Sequence, residues 1–201
     1  MNQSEAEVRR LIAEDRFEEA LRACENALAA RPNDLQLVLL KSWILSTPVP
    51  EVTAPEAAVA LLTEQIRSTP EVPDLHLALA QAYATGLGDY SAAVQEYRET
   101  LRLQPYNADA CLGLVLLVDA PGSGLGIEEA AESAARVATR SPAHWQLWRE
   151  SGLLYWRLGR LADAEAAFRA SLAHLPEGHD EATQILRWLS QVSGGTRYGD
   201  R

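Results

Sequence analysis

Five prolines divide the chain at a near-constant interval: Pro32, Pro70, Pro105, Pro142 and Pro176 lie 38, 35, 37 and 34 residues apart. An internal period of this size restricts the chain to a row of stacked supersecondary units, each too small to bury its own apolar face without a neighbour. Twelve residues before each proline stands an alanine, at Ala20, Ala58, Ala93, Ala130 and Ala164. Four residues after each alanine comes Cys24, Leu62, Tyr97, Ala134 or Phe168, one helical turn further along the same face. A small residue followed at i+4 by a larger one lets a neighbouring helix approach closely and then fills the layer beneath it. Ala134 departs from that size rule, so the fourth unit fits least well. The prolines act as terminators, because each lacks an N–H and restricts the residue before it, ending a helix without disturbing its interior.

This register predicts two helices per unit, near 4–14 and 17–30, 35–46 and 55–67, 74–85 and 90–103, 108–119 and 127–139, and 144–157 and 161–174. Beyond Pro176, Ala182, Ile185, Leu186 and Leu189 recur at helical spacing, with Asp180 and Glu181 in the first turn. They predict a helix over 179–193 that covers the last apolar face of the row. The segment 194–201 has no apolar period and is expected to be a mobile tail. Two connections are longer than a helical hairpin needs, Ser46 to Pro55 and Ala120 to Gly126, either as tolerated loop growth or as lateral contact loops.

The stretch from Trp148 to Pro176 carries Trp148, Gly152, Tyr155, Gly159, Ala164, Phe168 and Pro176 at the spacings of the tetratricopeptide repeat (TPR), which it resembles; Ser151 stands where the pattern has leucine. The third unit agrees through Leu79, Ala80, Tyr83, Gly88, Tyr90, Ala93, Tyr97 and Pro105, with one extra residue in the turn from Ala84 to Leu87. The first unit keeps Leu11, Phe17, Ala20 and Pro32; the second Leu45, Ala58, Leu62 and Pro70; the fourth Leu114, Val118, Ala130 and Pro142. Resemblance to bacterial TPR proteins implies an all-α fold: a right-handed superhelical solenoid of about five helical hairpins plus a C-terminal capping helix. It would form a single domain over 1–193, with units roughly 1–34, 35–74, 75–107, 108–142 and 143–176.

Charge and composition narrow the function classes. Acidic residues number 28 against 18 basic ones, a net charge of −10 and the wrong sign for gripping a polyphosphate backbone, so nucleic acid is not an expected partner. Only two cysteines occur, Cys24 and Cys111, too far apart for a CxxC pair, and both read as small buried residues in a reducing compartment. The first residues are polar and acidic, and the longest apolar stretch, Ala110 to Val118, is too short to cross a bilayer, so the expected location is cytoplasmic without membrane insertion. The run Gly122-Ser123-Gly124-Leu125-Gly126 satisfies neither phosphate-loop pattern, and His174 and His179 flank a proline turn at a poor ligand spacing. No cofactor or metal is therefore expected. Catalysis is not expected either, since every candidate serine, cysteine and histidine is accounted for by its place in the repeat.

The resemblance implies that the first helix of each unit lines a concave groove. The corresponding residues are Leu39 and Trp43, Leu77 and Gln81, Leu112 and Leu116, and Arg149, Leu153, Trp156 and Arg157, an apolar surface with a basic end. Trp beside Arg is the composition of interface hot spots. Part of this set is alternatively buried by the superhelix itself. The TPR subtype that clamps C-terminal carboxylates needs lysine and asparagine at groove positions which here hold Glu5 and Arg9, then Leu40, then Asp74 and Ala78, so an acidic tail is not the expected ligand. The expectation is an adaptor that binds a partner's helix or extended segment; the alternative is a self-associating scaffold, with homo-oligomers left open.

Overall fold

The computed structural model describes residues 3–199, so Met1, Asn2, Asp200 and Arg201 of the expected first unit and tail lie outside the described residues. These residues form an all-α solenoid of helical hairpins: α1 (Gln3–Ala13), α2 (Phe17–Ala30), α3 (Leu35–Ser46), α4 (Pro55–Ser68), α5 (Pro73–Gln81), α6 (Tyr90–Leu103), α7 (Ala108–Leu116), α8 (Ile127–Arg140), α9 (Trp145–Arg157), α10 (Leu161–His174) and the capping helix α11 (Glu181–Ser193). No strand occurs among the described residues. They divide between Leu103 and Gln104 into two compact units, the first with three hairpins and the second with two hairpins and α11.

All five register alanines, Ala20, Ala58, Ala93, Ala130 and Ala164, are fully buried, as are Cys24, Leu62, Ala134 and Phe168 one turn on. Tyr97, the remaining member, is 5% exposed. The extra residue of the third repeat is absorbed by a π-helical turn over Ala82–Leu87 that continues α5. A wider turn accommodates one added residue without shifting the helix that follows.

Within the first unit α3 belongs to two cores. Leu37, Leu40 and Ile44 join Val8, Leu11 and Cys24, whereas Val38 and Leu45 join Ala58, Leu62, Leu75 and Leu79. These sets point about 100° apart, as successive residues of a helix must. That explains why α3 is apolar nearly all round: two faces are buried, and the stripe Leu39 and Trp43, at i and i+4, remains on a third. Its start is fixed by Asp34, whose carboxylate accepts from the Leu37 amide. The long Ser46 to Pro55 connection is folded back rather than loose, with Val52 buried and the Ala54 amide donating to the Leu45 carbonyl at 2.8 Å.

In the second unit small residues allow close approach. Ala130, Ala131, Ala134, Val137 and Ala138 form the buried stripe of α8, and Gly152 of α9 lies so near Phe168 that a Cβ there would sit 2.7 Å from the ring. Ser151, where the repeat pattern has leucine, is fully buried and satisfies its hydroxyl on the Trp148 carbonyl at 3.1 Å. The Ala120 to Gly126 connection also packs, with Ser123 and Leu125 buried. Helix α7 ends at Leu116, short of the expected residue 119, and the chain turns away through Leu117.

Candidate functional site

The first unit carries a groove of about 840 Å³ between α3 and α5. Leu39 and Trp43 line it from α3, Leu77 and Gln81 from α5, so four of the ten expected groove residues meet there. The geometry adds Ser42, Asp74, Ala78, Thr85 and Tyr97, together with Thr47 and Pro48 from the long connection. The π-helical turn supplies Thr85, and the second helix of that hairpin supplies Tyr97; neither was readable from groove positions alone. Burial pushes the Tyr97 phenol up to about 12, so it stays a neutral hydroxyl.

Trp43 is the prominent feature, 48% exposed and tilted against Phe17 with centroids 6.2 Å apart. A second hollow of about 470 Å³, lined by Arg9, Ile12, Ala13, Gln36, Leu39 and Leu40, lies on its other side. The indole is thus a ridge between two depressions, held by the same α3 whose other faces are locked in both cores. Arg9 in the second hollow is already paired with Glu5 at 2.9 Å and bonded to Gln36. Asp74, by contrast, forms no ion pair among the described residues.

A third hollow, about 590 Å³ along α1 and α2, is lined largely by charge. Arg16 bonds Glu19 and Glu14, which raises its pKa and holds both carboxyls below their usual range. Those charges satisfy one another and leave nothing that calls for a ligand.

The second unit places its six expected groove residues differently. Leu116 is 60% exposed and Leu112 and Leu153 are half-buried. The expected basic end is closed. Arg149 pairs with Glu150 and with Glu181 of α11 at 3.0 Å and stacks over Trp145, and Arg157 grips Asp119 through two hydrogen bonds of 2.7 and 2.8 Å. Trp156 is 5% exposed instead of free: its Nε1 donates to the Thr196 carbonyl at 2.8 Å, and Tyr198 meets its ring edge-on at 5.1 Å. The tail expected to be mobile makes these contacts, and the segment after α11 supplies the acceptor for the Trp156 indole N–H.

Both cysteines are buried, and His76 and His179 are engaged structurally. The Cys24 thiol, donating to the Leu37 carbonyl, is pushed up to about 11 by burial, and that of Cys111 to about 12, so neither is a ready nucleophile. His76 is buried between the Glu96 carboxylate, 2.7 Å from Nδ1, and the Pro70 carbonyl, 2.9 Å from Nε2. His179 accepts from the Glu181 amide at the start of α11. Among the described residues no cluster of three or more His, Cys, Asp or Glu could hold a metal ion, and no helix is long and apolar enough to cross a membrane.

Comparison with known proteins agrees with the helical-hairpin fold. No curated protein sequence matches the chain. Among solved structures it is similar to MamA (TM-score 0.66, 20% identity, 87% of this chain and 95% of that one) and to TTC0263, a thermophilic TPR protein of Thermus thermophilus (TM-score 0.64, 19% identity, 93% and 97%). It is also similar to YrrB, described as a TPR protein with an unusual peptide-binding site (TM-score 0.61, 17% identity, 90% and 87%). At these identities the likeness is one of fold. The tetratricopeptide repeat model itself matches residues 54–108 and 126–179, more than half of the sequence, and the chain belongs to the tetratricopeptide repeat family.

Proposed function

We propose that the chain is a protein-interaction module whose ligand, a helix or extended segment of a partner protein, lies in the α3–α5 groove of the first unit. One observation carries the reading: Trp43 stands 48% exposed between two hollows on a helix otherwise committed to the core. A half-exposed indole with apolar Leu39 and Leu77 beside it gives up little stability when covered and gains the burial of a large aromatic surface. Asp74 at the groove edge offers an unpaired carboxylate to a basic residue of the ligand. The basic end expected from Arg149 and Arg157 has no part in it, since both are neutralised within the second unit. The peptide-binding site described for YrrB supports recognition of a segment as a use of this fold.

Trp43→Ala tests the reading. The side chain is half exposed, so the variant keeps its fold, and affinity capture from source-cell lysate read by mass spectrometry loses a protein that the unaltered chain retains. Equal recovery by both chains refutes the groove. A solution mass that rises with concentration for the unaltered chain alone assigns the same face to self-association.

A further inference from the structure

The capping helix ends in a glycine turn that aims the chain across the preceding hairpin. Gly195 has φ +78°, its amide donates to the Val192 carbonyl, and the Thr196 amide reaches back to the Gln191 carbonyl. This paired 5→2 and 6→1 arrangement reverses the backbone and needs a residue at ease with positive φ. The reversed segment then lies on α9, where the Thr196 carbonyl accepts from Trp156 Nε1 and Tyr198 packs edge-on against the same ring.

The fit is incomplete. Tyr198 remains 52% exposed, and a cavity of about 290 Å³ persists beside the contact, lined by Trp156, Trp188, Gln191 and the strap itself. Among the described residues the strap meets the indole of Trp156 through one hydrogen bond and one ring contact and leaves space beside both tryptophans, so the aromatic site is only partly filled.

We propose that Trp156 and Trp188 form a second peptide-binding site, kept closed by residues 194–199 acting as a resident strap, and that its ligand is an extended partner segment carrying an aromatic residue two positions after a free backbone carbonyl. The strap displays the recognition pattern: the carbonyl goes to the indole N–H, and the aromatic ring stands perpendicular to the indole. A partner segment whose aromatic side chain also enters the cavity covers more of both tryptophans than Tyr198 does and displaces the strap. The strap competes as a tethered segment already held in place by the glycine turn, so a free segment needs excess to displace it. This site lies in the second unit and stands or falls independently of the Trp43 groove.

The test follows the Trp156 indole N–H by proton–nitrogen NMR of the full-length chain, its resonance identified by its loss in Trp156→Phe. In Tyr198→Ala the strap loosens and that N–H exchanges with solvent about tenfold faster, while the thermal melt is unchanged. The peptide Gly-Gly-Thr-Arg-Tyr-Gly restores protection, and the same peptide with alanine for tyrosine does not. A large excess of the tyrosine peptide also shifts the Trp156 resonance of the unaltered chain and leaves that of Trp43 in place. Unchanged exchange in Tyr198→Ala overturns the strap; exchange that stays fast with peptide, or an unaltered chain that never responds, overturns the site. Dimers that form with rising concentration in the unaltered chain and vanish in Tyr198→Ala overturn the partner assignment in favour of strap exchange between copies.

Discussion

Replacing Gly152 with alanine sets two effects of opposite sign against each other at one atom. Gly152 is interior to α9, where alanine is favoured over glycine by about 1 kcal/mol from backbone propensity alone. The added Cβ, however, would lie 2.7 Å from both Cδ1 and Cε1 of Phe168 and 3.2 Å from its Cγ. The ring is fully buried with Trp188 tilted against it at 5.8 Å, so it withdraws only by displacing its neighbours. Overpacking of this kind costs about 1–3 kcal/mol, so after the propensity gain of about 1 kcal/mol Gly152→Ala is expected to lose up to roughly 2 kcal/mol net. Phe168→Leu removes the obstructing ring atoms and by itself costs roughly 1–2 kcal/mol of lost burial. In the double variant the clash is gone and the propensity gain survives, so the two changes should couple favourably by about 2 kcal/mol. Urea unfolding of the four chains, followed by circular dichroism at constant slope, measures the cycle. A stabilised Gly152→Ala, or additivity within about 0.5 kcal/mol, would refute the claim that Phe168 sets the approach of α9 and α10.

The two thiols lie inside helix packing and should not react with an aromatic disulfide reagent until the chain unfolds; reaction under native conditions would show that Cys24 or Cys111 is reachable. Because burial raises both from 9.0 in the unfolded chain, to about 11 and about 12, the unfolded state loses these protons first as pH rises. Their contribution to stability is present below pH 9 and is lost between there and 12, and alanine at both positions should flatten that part of the profile. His76→Leu leaves the Glu96 carboxylate and the Pro70 carbonyl without their buried partner, at about 1–3 kcal/mol, and a melt within about 0.5 kcal/mol of the parent would show that the bridge does not matter.

What could be read from residue order follows from what is periodic. Ala20, Ala58, Ala93, Ala130 and Ala164 are buried because the two helices of each hairpin approach closely at the same repeat position, and the starts of α2, α3, α4, α6, α8 and α10 fell where the register put them. Leu39, Trp43, Leu77 and Gln81 meet in one groove for the same reason. Arg149, Trp156 and Arg157 have intrachain partners that the repeat does not foretell, because those partners are not repeat positions. Asp119 lies 38 residues before Arg157, Thr196 lies 40 after Trp156, and Glu181 sits on the cap. A charge or an indole is free only if nothing elsewhere in the chain satisfies it, and single-repeat reasoning does not contain that information. The Gly194-Gly195 pair was a usable signal, since glycines after a helix mark a reversal rather than a loose end.

The π-helical turn at Ala82–Leu87 makes the third repeat the place where this protein can change length at small expense. Because the added residue is absorbed inside a turn, loss of a single residue there would leave α6 in place and would redraw the lip of the groove, where Thr85 stands. The position is therefore one where the shape of that groove can be changed by insertion and deletion rather than by substitution.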